Sequence, residues 1–225
     1  MRKTKIIICG ARGRMGQLLI AAAKEDPELE IAGTVDAGED LGSVIAKTDV
    51  VIDFTIPEAT PRIAGMTAAH GKALVIGTTG HTNAEREAIL KVTQGIPVVW
   101  SSNFAMGVNV LFHITRLVGE SFSDASVEIS ETHHTKKKDA PSGTAKTLKE
   151  ILEEIRGNTV PVESRREGDV VGDHTVLFKT PEEELALSHH ALARATFAKG
   201  ALRAAKWIAT KRAGLYDMQD VLGLK

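Results

Sequence analysis

The stretch "KIIICGARGRMGQLLIAAAKE", residues 5–25, runs from an unbroken apolar segment through a glycine-studded turn into a helix-like pattern. Ile6, Ile7, Ile8 and Cys9 show no polar alternation, as expected of a strand buried on both faces. Beyond the turn, Met15, Leu18, Leu19 and Ala22 return at helical spacing. Gly10, Gly13 and Gly16 sit between strand and helix, and each has a separate task. Gly10 permits the tight turn, Gly13 lets the backbone approach a pyrophosphate, and Gly16 lets the helix pack on the strand. Free N–H groups at the helix start attract the phosphates. A glycine triplet alone is weak evidence against a purely structural turn, and this one is spaced 1, 4, 7 rather than the commoner 1, 3, 6. Followed by a second strand, "EIAGTVD" at residues 30–36, it predicts a dinucleotide site.

Outward from this turn, strand-like and helix-like segments alternate through the first hundred residues. "DVVIDF", "ALVIGTTG" and "IPVVWSS" read as strands, with "PRIAGMTAAHG" and "NAEREAILKVTQG" as helices between them. The expected fold class is therefore α/β: an N-terminal doubly wound parallel sheet with ligands at the carboxyl ends of its strands. Asp36 closes the second strand 20 residues after Gly16, where a carboxylate accepts hydrogen bonds from an adenosine ribose and repels a 2′-phosphate. Ala37 follows, so no adjoining arginine offsets that repulsion, and NAD is favoured over NADP. A solvated loop aspartate is the competing reading. "GTTG" from Gly77 and "SSNF" from Ser101 end strands in the same way and can line a cofactor crevice, or simply turn the chain.

After Phe104 the pattern changes. "ASVEISETHH", "VVGDHTVLFKT" and "EEELALSHHAL" look like longer strands of alternating character, which predicts a second, α+β domain with a mixed or antiparallel sheet covered on one face. "FAKGALRAAKWIAT" returns to helical spacing through Ala201, Ala204, Ala205 and Ile208.

The 225 residues suffice for one large domain or two small ones with a substantial core. With 25% charged residues, 43% apolar residues and a formal net charge of -1, nothing draws the whole chain to nucleic acid or an anionic membrane. Cys9 is the one cysteine, so no disulfide forms within the chain, and its plain reading is a small buried hydrophobe. The apolar run after the basic start is too short for an export signal, because Arg12 and Arg14 follow at once. No stretch approaches the roughly 18 apolar residues of a membrane span, and a cytoplasmic protein is expected.

"ETHHTKKKDAPSGTA", residues 131–145, gathers two histidines, three lysines and an aspartate in front of Ser-Gly-Thr-Ala. The preceding "SVEISET" delivers His133 and His134 to a strand end, where adjacent side chains diverge, so one at most faces a given pocket. Histidine exchanges protons near neutrality, and a neighbouring lysine lowers its pKa and attracts an anion. "DAPSGTAKTLKEILEEIR" reads as a helix starting near Pro141, with Leu148, Ile151, Leu152 and Ile155 as its apolar stripe. The N–H groups of Ser142, Gly143 and Thr144 would then lack intrahelical acceptors and form an anion site, with Lys137 adding a full charge. A small carboxylate or phosphate substrate beside a proton donor is the chemistry this implies. Lys136 and Lys138 read as a solvated turn. The pairs His133–His134 and His189–His190 suggest a metal, but diverging side chains and absent cysteine partners argue against one. His70, His81, His113 and His174 read as surface or packing residues.

The segment around His133 resembles the signature of the 4-hydroxy-tetrahydrodipicolinate reductases, formerly dihydrodipicolinate reductases, of lysine and diaminopimelate biosynthesis. "GARGRMG", "VVIDFTIPEAT", "VIGTTG", "SSNFAMGVNV", "VVGDHT", "RATFAKGALRAAKWI" and "GLYDMQDVLGL" extend the likeness in the family's order. The resemblance implies a Rossmann-like domain, residues 1–104 completed by 197–225, and a substrate and tetramerisation domain at 105–196. It implies a homotetramer in which NADH or NADPH reduces a cyclic imine dicarboxylate. Carried over by position, His133 is the general acid and Lys137 holds a substrate carboxylate and stabilises developing charge. His134 and Ser142 belong to the substrate site, and Gly143 with Thr144 binds the other carboxylate. The cofactor would meet Gly10, Ala11, Arg12, Gly13, Arg14, Met15 and Asp36, then Gly77, Thr78 and Thr79, then Ser101, Ser102, Asn103 and Phe104, with Arg194 reaching it from the domain junction.

The chain departs from the longer members in a brief link after Asp36 and a reduced loop before "VVGDHT". Where some relatives carry arginines near an NADP phosphate it has Ala37 and Ile56, which again favours NADH. A non-catalytic sensor of NADH and a dicarboxylate, or a reductase of another amino-acid-derived imine, are the alternative readings.

Overall fold

The computed structural model describes residues 2–225. The chain divides into two compact units, one running to Ala105 and resuming over Ala195–Gly223, the other formed by Met106–Arg194.

The first unit follows the order β1 (Thr4–Cys9), α1 (Arg14–Glu25), β2 (Leu29–Val35), α2 (Gly42–Ile45), β3 (Val50–Asp53), α3 (Thr60–Ala69), β4 (Ala73–Ile76), α4 (Asn83–Thr93) and β5 (Pro97–Trp100). The second contains α5 (Met106–Ser121), β6 (Ser126–His133), α6 (Gly143–Arg156), β7 (Val162–Arg166), β8 (Asp173–Lys179) and β9 (Glu184–His190). The first is then completed by α7 (Ala195–Ile208), β10 (Gly214–Tyr216) and α8 (Met218–Leu222).

The first unit's sheet is parallel throughout, in the order β10-β5-β4-β3-β1-β2. Alternate residues of its central strands serve opposite faces. Ile6, Ile8, Ile52 and Val75 pack with α1 and α7, while Ile7, Val51, Leu74 and Ile76 pack with α2, α3 and α4. Both faces are covered, which explains apolar runs without alternation. Each such side chain contributes about 1.5–3 kcal/mol by leaving water. The chain reverses its winding between β1 and β3, so a crevice opens at their carboxyl ends, beyond Cys9 and Asp53.

The second unit's sheet is mixed, in the order β7-β6-β8-β9, with β6 parallel to β7 and antiparallel to β8. The expected strands are present, joined by two elements that periodicity did not predict, α5 and β7. Helix α6 begins at Gly143, two residues later than expected, because Ser142 is its N-cap and accepts from Ala145 N–H. Leu148 and Leu152 of α6 are fully buried, and Gly119 lets α6 approach α5 closely.

Candidate active site

In the first unit the cofactor candidates are shaped mainly by backbone. Gly10 turns the chain at φ +80°, where a Cβ would lie 2.4 Å from the Phe54 carbonyl oxygen. At Gly16 a Cβ would lie 2.1 Å from Gly10 O and 2.6 Å from Ala11 Cα, so only glycine lets α1 meet the turn. Gly13 caps α1 and, having no side chain, makes no capping hydrogen bond to the first-turn amides. Such a bare, closely approachable helix start fits a pyrophosphate.

Asp36 follows β2 directly and accepts Arg12 N–H at 2.6 Å. Its own N–H donates to Glu39 at 2.8 Å, and the other Glu39 oxygen pairs with Arg12 Nη2 at 2.5 Å. Beside them is a cavity of about 460 Å³, lined among others by Asp36, Glu39, Asp40, Ile56, Arg62 and Met66. Gly77 makes room for the Phe54 ring, whose Cζ would stand 2.2 Å from a Cβ there. Thr78 is buried against Asp53 and accepts Thr55 N–H at 2.9 Å, while Thr79 is exposed. Ser101 donates to Asn103 O, and Asn103 accepts Ala105 N–H, so the "SSNF" turn is internally bonded. Ser102 is exposed, and the Phe104 ring lies 5.7 Å from that of Phe54.

The second unit's candidates depend on buried side chains. His133 ends β6, fixed by Glu167 N–H donating to its carbonyl at 2.8 Å, while His134 N–H donates to Val170 O at 2.7 Å. Two residues earlier on the same face is Glu131, with its side chain fully buried. One Glu131 oxygen accepts from His133 Nδ1 and, at 3.1 Å, from Arg166 Nη1; the other accepts from Arg166 Nη2 at 3.0 Å and Ser142 N–H at 3.2 Å. Burial works against this charge, but hydrogen bonds from Arg166, Ser164 and His133 outweigh it and hold the carboxyl at about 2. Burial also lowers the His133 pKa; Glu131 pulls it up, and Lys137 and Arg166 push it down. Nδ1 faces a carboxylate that only accepts, so Nδ1 carries a proton and Nε2 is the nitrogen that titrates. Gly172 leaves space beside Nε2, since a Cβ there would come within 2.9 Å of it.

His174 packs edge-on against His133, ring centroids 5.0 Å apart, and bonds Ser142 Oγ at 3.1 Å. Burial, with the neighbouring His133 charge, lowers its pKa to about 3. Lys137 is the one half-buried member of the lysine triplet and pairs with Asp139 at 2.8 Å. Arg194 belongs to this unit, its guanidinium 2.9 Å from His134 Nε2. In front of Gly143 the space is open, with no atom within 4 Å of the point where a Cβ would stand. Ser142 N–H, expected to be free for an anion, is instead taken by Glu131, because the helix starts later and Ser142 is buried. Among the described residues, no group of three or more His, Cys, Asp or Glu side chains is arranged to hold a metal.

The family model for the dihydrodipicolinate reductase N-terminus matches residues 4–104, and that for the C-terminus matches residues 107–222. The chain belongs to the dihydrodipicolinate reductase family. It is 41% identical to the 4-hydroxy-tetrahydrodipicolinate reductase of Methanoregula boonei, covering 98% of both chains. To that of Akkermansia muciniphila it is 42% identical, covering 97% of this chain and 98% of the relative. A dipicolinate-bound dihydrodipicolinate reductase from a Paenisporosarcina species has the same fold, with a TM-score of 0.84 at 22% identity over 97% of this chain and 98% of that one.

Sequence reading of this reductase-family chain missed Glu131, Arg166, Glu39 and Asp53, and set His174 aside. Glu131 was open to detection, because strand alternation puts it on the face of His133. Arg166 reaches Glu131 through the parallel register that pairs His133 with Arg166, which no local pattern encodes. Asp53 bonds Thr55 and Thr60 hydroxyls and so braces the carboxyl end of β3 in this family member. No helix of the described residues is long and apolar enough to cross a membrane.

Proposed function

We propose that this chain is a nicotinamide-dependent 4-hydroxy-tetrahydrodipicolinate reductase, acting on a cyclic imine dicarboxylate as a cytoplasmic homotetramer. The observation that carries this reading is the joint match of both family models and of curated reductases over nearly the whole chain. In this reading residues 1–104 with 197–225 bind the dinucleotide, and residues 105–196 bind substrate and build the tetramer.

The glycine turn with Arg12, Arg14 and Met15 holds the pyrophosphate, Asp36 the adenosine ribose, and the turns at Gly77–Thr79 and Ser101–Phe104 the nicotinamide end. Bound nicotinamide supplies the hydride. Once the 4-hydroxyl has left as water, hydride addition to the conjugated ring sends an electron pair toward the ring nitrogen, and His133, protonated at Nε2, donates a proton to it. Lys137 exchanges Asp139 for a substrate carboxylate, and Gly143 with Thr144 receives the other at the start of α6. His134, bonded to Arg194, shapes the wall.

NADH is the preferred donor on electrostatic grounds. Asp36, Glu39 and Asp40 line the cavity beside the ribose position against one cation, Arg62, and Glu39 already occupies the Arg12 guanidinium. A 2′-phosphate there meets like charge.

The test is oxidation of NADH and NADPH in parallel, with a synthase that condenses pyruvate and aspartate semialdehyde generating substrate in place. Synthase-dependent oxidation, faster with NADH, is expected. His133→Ala should lower kcat by about 10²–10⁴ with little change in KM, and Lys137→Ala should impair both. A folded protein that binds NADH yet never oxidises it would refute the activity.

A further inference from the structure

Glu131 is a poor residue to bury without a purpose. An isolated carboxylate in a protein interior is costly, and the cost is offset here only by a complete set of donors. Arg166 supplies a two-pronged contact at 3.0 and 3.1 Å, Ser142 N–H donates at 3.2 Å, and the Ser164 side chain and His133 Nδ1 close the set. Three separate segments thereby converge on one carboxylate: β6, β7 and the cap of α6. A hydrophobic residue at this place would pack with less penalty, so the arrangement points to what the carboxylate does for His133.

We propose that Glu131 and Arg166 form a positioning pair that fixes which ring nitrogen of His133 exchanges its proton and sets how firmly that proton is held. This rests on the reading of His133 as proton donor and goes beyond it, because neither residue need touch substrate. Glu131 binds the Nδ1 proton, directs Nε2 toward the space left by Gly172, and favours the imidazolium. Arg166 neutralises the carboxylate and restrains that effect, and it anchors the lysine-bearing loop by donating to Asp139 O at 2.6 Å. Other groups face His133 as well. Lys137 disfavours its charged form, with Asp139 offsetting Lys137, and His174, held neutral by burial, lies against the ring. The two members of the pair act on His133 in opposite senses, and that opposition distinguishes positioning from mere packing.

The experiment follows the His133 ring by NMR in full-length protein labelled at histidine, across pH, beside the pH profile of kcat/KM. Glu131→Gln should displace the His133 titration downward by about one pH unit or more, because it removes an opposite charge in contact. Arg166→Gln should displace it upward. Since an acid must be protonated to act, the alkaline limb of kcat/KM should move with each. If Glu131→Gln does not fold, Glu131→Asp and Arg166→Gln still give the comparison, with a smaller downward displacement expected for aspartate. Titrations that stay fixed, or that move in the same direction in both variants, would overturn the proposal. NMR displacements of opposite sign without any movement of the kinetic limb would uphold the pair and refute His133 as the acid. The same displacements in a protein with no reductase activity would uphold the pair and refute the functional reading.

Discussion

The nucleotide end of the first unit is defined by what is missing, and the histidine site of the second by what is buried. At Gly10, Gly16 and Gly77 a single added carbon would collide with backbone or the Phe54 ring at 2.1–2.4 Å. Around His133 the determinants are instead Glu131, Arg166, His174 and Ser142, held in one hydrogen-bonded group. A backbone-built site recognises shape and phosphate with few titrating groups. A side-chain-built site can tune a proton, and it becomes sensitive to pH for the same reason.

The same substitution in the two regions gives the largest expected contrast. Gly16→Ala should cost more than about 2 kcal/mol, by thermal or denaturant unfolding, and abolish NADH binding, since its Cβ overlaps Gly10 O at 2.1 Å. Gly143→Ala meets open space at the first helical position and should leave stability unchanged or raise it by up to about 1 kcal/mol. It should still weaken substrate, raising KM. Equal losses of stability at both positions would break the comparison.

Acid should separate the units next. A histidine whose folded-state pKa is depressed takes its proton mainly after unfolding, so the fold loses stability as pH falls from the unfolded value. For His174 that window runs from 6.5 down to about 3, and the depressed His133 adds to it. Glu131 contributes stability above 4.5 that disappears as pH falls toward about 2. In the first unit, the lowered carboxylates Asp26 and Asp217 act from 3.8 downward, and His81, a partly exposed ring, adds a weaker loss at milder acidity. Hydrogen exchange read by mass spectrometry between pH 7 and 4 should therefore show β6 and β8 opening before β1 and β3. Simultaneous opening would contradict this.

The smallest effect expected is on cofactor choice. Glu39→Gln removes one acid beside the proposed ribose position and releases Arg12, and should raise kcat/KM for NADPH several-fold with little change for NADH. A ratio that does not move would refute a role for Glu39 in the discrimination.

The two regions also differed in how far the sequence could be read. β1, the glycine turn and α1 form one continuous local pattern, so buried strand, turn and amphipathic helix were legible together. β6 and α6 were legible by the same rules, including the stripe Leu148, Ile151 and Leu152. α5 escaped notice because "MGVNVLFHITRLVGES" is apolar on several sides and opens without a cap signal. β7, "VESRR", is a short, charged edge strand that looks like a loop until it pairs with β6. The histidine and lysine were visible as residue types. The partners that govern them were not, since Arg166 and His174 arrive from 33 and 41 residues beyond His133.

The solitary thiol of Cys9 gives the fold a clock. It ends β1 on the floor of the cavity beside Asp36, and burial, with the charges of Asp53 and Asp36, raises its pKa far above the ordinary thiol value. In the closed fold it is both hidden and protonated, hence unreactive toward alkylating reagents. Each labelling event therefore timestamps a transient opening of the first unit, and slower labelling with dinucleotide present measures how tightly that unit is latched, with no engineered probe required.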